Sequence, residues 1–188
     1  MYKFARFLFG LYVRILNRYK VTGLENIVQS GPTIVYGNHS SMFDIFLLTV
    51  AFKRPIYFMA KKSLFETPVI NLFVKAYKAF PVDRDKFDIS AVKTALKLLK
   101  EGNQIGIFPE GTRVHDESQS DAKGGIAMFA CKTKATLIPV RLIYKRKLNV
   151  FNCYHVIIGK PIHADELEVD GKDYKKAGEW LMERVYEL

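Results

Sequence analysis

Two short apolar runs, each followed directly by a polar cluster, constrain the fold of this chain more than any other feature. Residues 33–36 (TIVY) and 104–108 (QIGIF) have the length and β-branched content of buried strands. Helical periodicity follows each of them, and strands that alternate with helices predict an α/β fold. Open α/β sheets place ligands just beyond the C-terminal ends of their strands. The clusters at residues 38–44 and 109–113 are therefore the first candidates for a functional site.

The remaining periodicity predicts a single domain with a mixed central sheet and helices on both faces. At 188 residues the chain is long enough for one sizeable core. A short strand and turn is predicted over residues 21–26, further strands at residues 55–60, 80–82, 136–144 and 154–158, and helices at residues 1–20, 43–52, 67–77, 91–100, 126–134 and 173–187. Pro139 cannot donate to a β-ladder, which predicts a sheet edge or a bulge there. Trp180 is expected to face inward from the last helix.

His39 and Asp44 are the candidates for base chemistry in the first cluster. Histidine accepts a proton near neutral pH, and a carboxylate can hold the imidazole in one tautomer and stabilise its cation. Five residues is not the spacing of one helical face, so we expect His39 in the turn after the strand and Asp44 in the first helical turn. Ser40 or Ser41 is the expected N-cap. On its own, such a pair more often marks a structural histidine with an acid that favours the helix dipole.

Four motifs together resemble the glycerophospholipid acyltransferase family, typified by 1-acyl-glycerol-3-phosphate acyltransferase. They occur in the family's order and at the usual kind of spacing, over roughly residues 20–160. The motifs are NHSSMFD at residues 38–44, FPVDR at 80–84, FPEGTR at 108–113 and LIPV at 137–140. The resemblance implies an acyltransferase domain over residues 21–188, in which His39 and Asp44 are the catalytic pair.

The resemblance also implies a site for the phosphate of the substrate. The family has a lysine matching Lys61 that is thought to help hold this phosphate, and an arginine matching Arg84 in its glycerol-phosphate site. An ammonium group is a point charge for a phosphate, and a guanidinium fork suits its bidentate capture. Arg113 would add a second guanidinium, either for the phosphate or for the phosphopantetheine of a carrier.

Glu110, Gly111 and Thr112 complete the substrate-binding residues that the motifs imply. Gly111 allows close approach of the backbone to a ligand. Glu110 is expected to orient either Arg113 or an arriving hydroxyl group. Glu110, Gly111 and Arg113 would each also suit a turn that carries no chemistry.

The implied reaction moves a fatty acyl group from a thioester to the 2-hydroxyl of 1-acyl-glycerol-3-phosphate, giving phosphatidic acid. His39 would take the hydroxyl proton and return it to the departing thiolate, and a backbone N–H near Gly111 is a candidate donor to the oxyanion. Ser40 and Ser41 lie too close to His39 in sequence for an easy nucleophile–base pair. No metal or bound cofactor is implied, because the donor, acyl carrier protein or acyl-coenzyme A, is a substrate.

Charge and the first 20 residues indicate a membrane surface. The net charge of +10 suits an anionic membrane or an acidic carrier protein, and RNA-binding aromatic motifs are absent, so no nucleic-acid partner is expected. Residues 1–20 are basic, aromatic-rich and amphipathic, and their uncharged run is too short to span a bilayer. We expect peripheral attachment at the cytoplasmic face of the cell membrane, lost when residues 1–20 are deleted. Cys131 and Cys153 form no disulfide framework and are expected in the core, in a reducing compartment.

Three alternative functions remain open from the sequence. An enzyme of the same family could use glycerol-3-phosphate, another lysophospholipid or an amino-acid lipid, although Arg84 and Arg113 favour an acceptor that bears a phosphate. A thioester hydrolase would use the same base on water and release free fatty acid without an acceptor. A non-catalytic basic protein would only bind a membrane or nucleic acid, and charge alone does not support that function.

Overall fold

The computed structural model describes residues 1–83, 88–111, 113, 124–145, 151–169 and 173–188. Strands and helices alternate along this part of the chain. The strands are β1 (Arg18–Thr22), β2 (Thr33–Gly37), β3 (Ile56–Lys61), β4 (Phe80–Val82), β5 (Gln104–Ile107), β6 (Thr136–Tyr144) and β7 (Cys153–Ile158). The α-helices are α1 (Tyr2–Ile15), α2 (Phe43–Ala51), α3 (Pro68–Ala76), α4 (Ile89–Lys100), α5 (Gly125–Thr133) and α6 (Tyr174–Tyr186).

These strands form one mixed sheet in the order β1-β7-β6-β2-β5-β3-β4. β6, β2, β5, β3 and β4 are parallel neighbours, and β7 is antiparallel to β6 and parallel to β1. The predicted α/β fold with a mixed sheet is confirmed. Because five neighbouring strands run in the same direction, their C-terminal ends share one edge, which we call the carboxyl edge.

Helices cover both faces of the sheet, as predicted. The side chains of β2 show the division, since Ile34 and Tyr36 join one core with residues of α4, α5 and α6. Val35 joins the other core with residues of α1 and α2. Burial of apolar area on both faces is the main favourable term for such a sheet. None of the residues of α3 is buried, so this helix lies on the surface of the domain.

Pro139 lies in an interior strand, so the prediction of a sheet edge for its strand is wrong. The ladder between β6 and β7 begins at Val140, and the Pro139 carbonyl accepts a hydrogen bond from the Gly159 N–H at 2.9 Å. The N and the carbonyl of one residue point to the same side of a strand. The nitrogen of Pro139 therefore points toward β7 at a level just beyond the β6–β7 ladder. A proline there costs the sheet no ladder hydrogen bond.

The predicted helix over residues 1–20 is five residues too long at its C-terminal end. α1 ends at Ile15, because the next residues turn into the edge strand β1. The side chain of Asn17 accepts the Asn152 N–H at 2.9 Å, and the Arg18 N–H donates to the Asn152 carbonyl at 2.9 Å. No helix in the described ranges has the length and apolarity to cross a bilayer.

Candidate active site

His39 and Asp44 meet at the carboxyl edge, in the turn between β2 and α2. The His39 Nδ1 lies 2.7 Å from Asp44 Oδ2, and the exposed fractions of the two residues are 7% and 0%. The contact predicted from the five-residue spacing is therefore present. Because an ionised carboxylate only accepts hydrogen bonds, Nδ1 carries the proton and Nε2 is the nitrogen that can accept one.

Asp44 also holds the backbone of the turn. Its Oδ2 accepts the N–H groups of Ser40 and Ser41, each at 2.9 Å. Neither serine is the N-cap, which corrects the sequence prediction, because Met42 precedes the first helical residue. The Ser41 Oγ instead accepts the Phe43 N–H at 3.1 Å within the turn. One carboxylate oxygen thus fixes both the imidazole and the loop that carries it.

Glu110 approaches the same loop from the end of β5. It is buried, its Oε2 accepts the His39 N–H at 2.9 Å, and its Oε1 accepts the Tyr186 hydroxyl at 2.8 Å. The expected partners of Glu110 were Arg113 or a substrate hydroxyl. The contacts that the structure gives show a further task, which is to hold the backbone of His39.

Two further contacts fix the imidazole and the residue before it. The His39 ring stacks on the Phe108 ring, with 4.1 Å between the centroids and an interplanar angle of 12°. The Asn38 side chain exchanges two hydrogen bonds with the backbone of Leu142 in β6, at 3.0 and 2.8 Å. His39 is therefore held through its ring, its backbone and its neighbour before any substrate arrives.

A cavity of about 500 Å³ opens beside His39 on the face covered by α4 and α5. Most of its walls are apolar, with Met59 from β3, Val92 from α4 and Met128 from α5 among them. Asp83 and Asp88 add two carboxylates to the lining. An apolar cavity with a few polar groups next to a base suits a substrate with a long hydrocarbon part.

The structure places some of the other predicted substrate-binding residues at the carboxyl edge and does not describe the rest. Lys61 is the exposed last residue of β3 rather than a loop residue, and Arg113 is exposed beyond β5, so both lie at the carboxyl edge. Gly111 has a φ of +71°, which favours glycine. Its N–H donates to the Phe108 carbonyl at 2.9 Å, so this particular N–H is not available to an oxyanion. Arg84 and Thr112 lie outside the described residues.

Tyr186 is a functional candidate that could not be found from the sequence. It comes from α6 and lies 76 residues from Glu110 in the chain. No motif and no local periodicity relates the two positions. Asn38 and Phe108 did fall inside the quoted motifs. The contact of Asn38 with Leu142 and that of Phe108 with His39 depend on strand order, which the motifs do not give.

Two other histidines are engaged in contacts away from the carboxyl-edge turn. His155 Nε2 lies 3.1 Å from Thr22 Oγ1, between β7 and β1, and burial and the charge of Lys20 lower the pKa of His155. His163 and Glu166 cap a short 3-10 helix reciprocally. Neither histidine lies within a motif, and neither contact includes an acid placed to orient the ring.

Comparison with known proteins identifies relatives over the whole length of the chain. A family model described as Acyltransferase matches residues 18–143. The 1-acyl-sn-glycerol-3-phosphate acyltransferase of Bacillus subtilis is 34% identical, over 100% of this chain and 96% of its own length. The chloroplastic 1-acyl-sn-glycerol-3-phosphate acyltransferase LPAT1 of Arabidopsis thaliana is 32% identical over 89% of this chain, which spans 51% of that protein. A Borreliella burgdorferi enzyme of the same name is 35% identical over 65% of this chain and 50% of its own length.

A solved structure shares the fold. The crystal structure of the 1-acyl-sn-glycerophosphate (LPA) acyltransferase PlsC from Thermotoga maritima superposes with a TM-score of 0.74 at 24% identity. The match covers 98% of this chain and 78% of that one. The sheet, with helices on both faces, is therefore an arrangement already observed in an experimental structure.

Proposed function

This chain belongs to the Acyltransferase family, and from that premise we propose that it transfers a fatty acyl group from a thioester to the 2-hydroxyl of 1-acyl-glycerol-3-phosphate, forming phosphatidic acid. The proposal rests on one observation above all. His39 Nδ1 lies 2.7 Å from Asp44 Oδ2, which leaves Nε2 as the ring nitrogen that can accept a proton. An apolar cavity is lined in part by the same histidine. The curated relatives bear the name of this activity.

In the proposed reaction His39 acts first as base and then as acid. Its Nε2 removes the proton of the acceptor hydroxyl while the oxygen forms a bond to the thioester carbonyl carbon. Asp44 stabilises the imidazolium that results. As the tetrahedral intermediate breaks its C–S bond, the imidazolium returns the proton to the thiolate, leaving an ester and a free thiol. No enzyme nucleophile is needed.

Cationic side chains at the carboxyl edge support an acceptor that bears a phosphate. Lys61 and Arg113 are exposed there, and Lys61 ends the strand next to β5. An exposed ammonium or guanidinium group can contact a phosphate without breaking an interaction inside the protein.

The acceptor is tested by comparing lysophosphatidic acid, glycerol-3-phosphate, lysophosphatidylcholine and monoacylglycerol at equal concentration. We expect kcat/KM for lysophosphatidic acid to exceed that for monoacylglycerol by about a hundredfold, the size of two charge-assisted contacts. Lys61→Ala should raise KM for lysophosphatidic acid but not for monoacylglycerol, and Lys20→Ala, on edge strand β1, is the control. Equal use of the two acceptors by the wild type would contradict a phosphate site.

We further propose that the protein reaches its lipid by lying on the cytoplasmic surface of the membrane. α1 exposes a continuous apolar face, and α3 exposes another, with Phe4 66% and Phe73 57% accessible. The two helices are neighbours, because the Tyr77 hydroxyl at the end of α3 donates to the Ala5 carbonyl of α1 at 3.0 Å. We call these residues the apolar surface: Phe4, Phe7, Leu8, Leu11 and Ile15 of α1 with Val69, Ile70, Leu72 and Phe73 of α3.

The charge around the apolar surface suits an anionic bilayer. Residues 1–20 and 61–78 contain nine lysines and arginines but a single acid, Glu66. Each cation near an anionic membrane adds to attraction, and apolar side chains add burial in the interface. The apolar surface also adjoins the site, since the Phe9 ring of α1 lies 5.7 Å from the Phe43 ring that follows the catalytic turn.

Acidic substitutions on α1 are a cleaner test of membrane contact than deletion of residues 1–20. Deletion would remove part of β1 and the buried Val13, so the fold would suffer. We expect Leu8→Asp with Leu11→Asp to lower partition onto vesicles of equal phosphatidylglycerol and phosphatidylcholine by at least about tenfold, because each leucine contributes roughly 1.5–3 kcal/mol when buried. Phe73→Asp should weaken binding similarly, because Phe73 of α3 is part of the same apolar surface.

The control for these variants is Leu24→Asp. Leu24 is an exposed leucine just after β1, the outermost strand of the sheet, and it is not part of the apolar surface. Pelleting with vesicles should be unchanged by this substitution. If the α1 variant pellets as well as the wild type, the proposed membrane contact of α1 is wrong.

The donor is proposed at the level of an acyl thioester, either acyl carrier protein or acyl-coenzyme A. The chemistry at the carbonyl carbon is the same for both thiols. The basic surface would attract an acidic carrier protein and would make its association depend on ionic strength. Measuring kcat/KM with both donors at two salt concentrations assigns the donor.

A further inference from the structure

The catalytic turn is connected to α6, on the opposite face of the sheet from α1 and α2. The Tyr186 hydroxyl donates to Glu110 Oε1 at 2.8 Å, and Glu110 Oε2 accepts the His39 N–H at 2.9 Å. A single carboxylate therefore joins the last turn of α6 to the backbone of the proposed base. Hydrogen bonds to a charged group are among the stronger ones in proteins, more so when the carboxylate is buried as Glu110 is.

Tyr186 itself is held from the sheet. The Arg141 guanidinium in β6 donates to the Tyr186 carbonyl, and its central carbon lies 5.8 Å from the centre of the Tyr186 ring. The next residue of β6, Leu142, exchanges two hydrogen bonds with the Asn38 side chain. Neighbouring residues of one strand thus hold Tyr186 and the residue before His39.

We propose that Tyr186 is a positioning residue for the acyl transfer reaction, acting through Glu110 to fix the backbone of His39. This inference rests on the proposed function for its kinetic consequence. A carboxylate with donors on both oxygens has one preferred orientation, so Glu110 cannot turn away from the His39 N–H without breaking the bond to Tyr186. Displacement of a base by even a fraction of an ångström costs rate, because proton transfer requires hydrogen-bond geometry.

Tyr186→Phe removes only the hydroxyl, and the ring remains available to Arg141. We expect kcat to fall about tenfold, which is the size of one hydrogen bond to a charged group. The KM values for lysolipid and donor should stay within twofold. The thermal midpoint should move by only a few degrees. Glu187→Gln is the matched control, because it removes the negative charge from an exposed pair with Arg184 at the same end of α6 and should leave kcat unchanged.

A double-mutant cycle separates positioning from a general loss of stability. If Tyr186 acts through Glu110, Tyr186→Phe should have less than about a twofold effect in the Glu110→Gln background. An equal loss of kcat in both backgrounds, or no loss in the wild-type background, would overturn the proposal. So would a change in KM alone.

Amide hydrogen exchange at His39 gives a readout that needs no activity. The His39 N–H is protected by Glu110, so Tyr186→Phe should speed its exchange about tenfold and leave the amides of β5 unchanged. An unchanged exchange rate at His39 would mean that Tyr186 does not act on the turn. If the wild type forms no phosphatidic acid, the proposed function fails, and this exchange rate still decides the role of Tyr186.

Discussion

Replacing His39 by alanine is expected to lower kcat for acyl transfer to lysophosphatidic acid about a thousandfold, because it removes the group that takes and returns the proton. General acid–base catalysis contributes about 10²–10⁴-fold in enzymes, and here one imidazole would serve both steps. The measurement is the initial rate of labelled phosphatidic acid formation at saturating donor and acceptor. The KM values should change little, because Nε2 is engaged mainly in the transition state.

The matched control for His39→Ala is His163→Ala. His163 is exposed and caps a short 3-10 helix, so its loss removes an imidazole without touching the carboxyl edge. This control should keep full activity. A His39→Ala variant that folds and retains more than about a tenth of the wild-type kcat would exclude His39 as the base.

Asp44→Asn is expected to lower kcat about a hundredfold while leaving the fold of the turn largely intact. All three donors to Asp44, from His39, Ser40 and Ser41, reach the same oxygen, and an amide oxygen in that place can accept from each. Its Oδ1 has no hydrogen-bond partner among the described residues, so this is where the amide nitrogen would be placed. The expected fall in kcat therefore comes from the lost negative charge, which would otherwise stabilise the His39 imidazolium.

Asp44→Ala separates the two tasks of this carboxylate. It should lose the anchor for the Ser40 and Ser41 amides as well as the charge, so its thermal midpoint should fall below that of Asp44→Asn. Asp173→Asn is the control, because Asp173 is on the surface and contacts Lys176. If Asp44→Asn keeps kcat within about threefold of the wild type, the charge of Asp44 does not assist His39.

The elements around the site were predictable because each rests on local sequence. The apolar run over residues 33–36 is a buried strand in the structure, and the run over residues 104–108 forms a strand that ends one residue earlier, at Ile107. Asp44 lies in the first turn of α2 as predicted. These assignments need only hydrophobic periodicity and the chemistry of turns. The contact between His39 and Asp44 followed from the same local reasoning.

Capping and the ends of helices were less predictable, since neighbouring polar residues compete for the same role. Ser40 and Ser41 both suit an N-cap, yet the Asp44 carboxylate takes their N–H groups. Trp180 was expected to face inward but is 37% exposed, with Arg184 stacked over its ring. A bulky aromatic side chain at the edge of the buried face of a helix can be either buried or exposed to solvent.

The contacts that join distant segments could not be predicted from a single sequence. Glu110 meets Tyr186 only because β5 and β6 flank β2 and α6 packs across them. The exposure of α3 does not follow from its sequence either, because residues that are apolar on nearly every side suit a core as well as a lipid surface. Strand order and helix docking decide both questions, and neither has a local signal.

The most direct test of the acyltransferase mechanism follows the acyl group itself. Wild-type protein is incubated with a thioester carrying a labelled acyl chain, as acyl carrier protein and as acyl-coenzyme A, with and without lysophosphatidic acid. We expect labelled phosphatidic acid only when the acceptor is present, and little labelled free fatty acid in its absence. Labelled free fatty acid released at the same rate with and without acceptor would show a hydrolase, and it would contradict acyl transfer by His39.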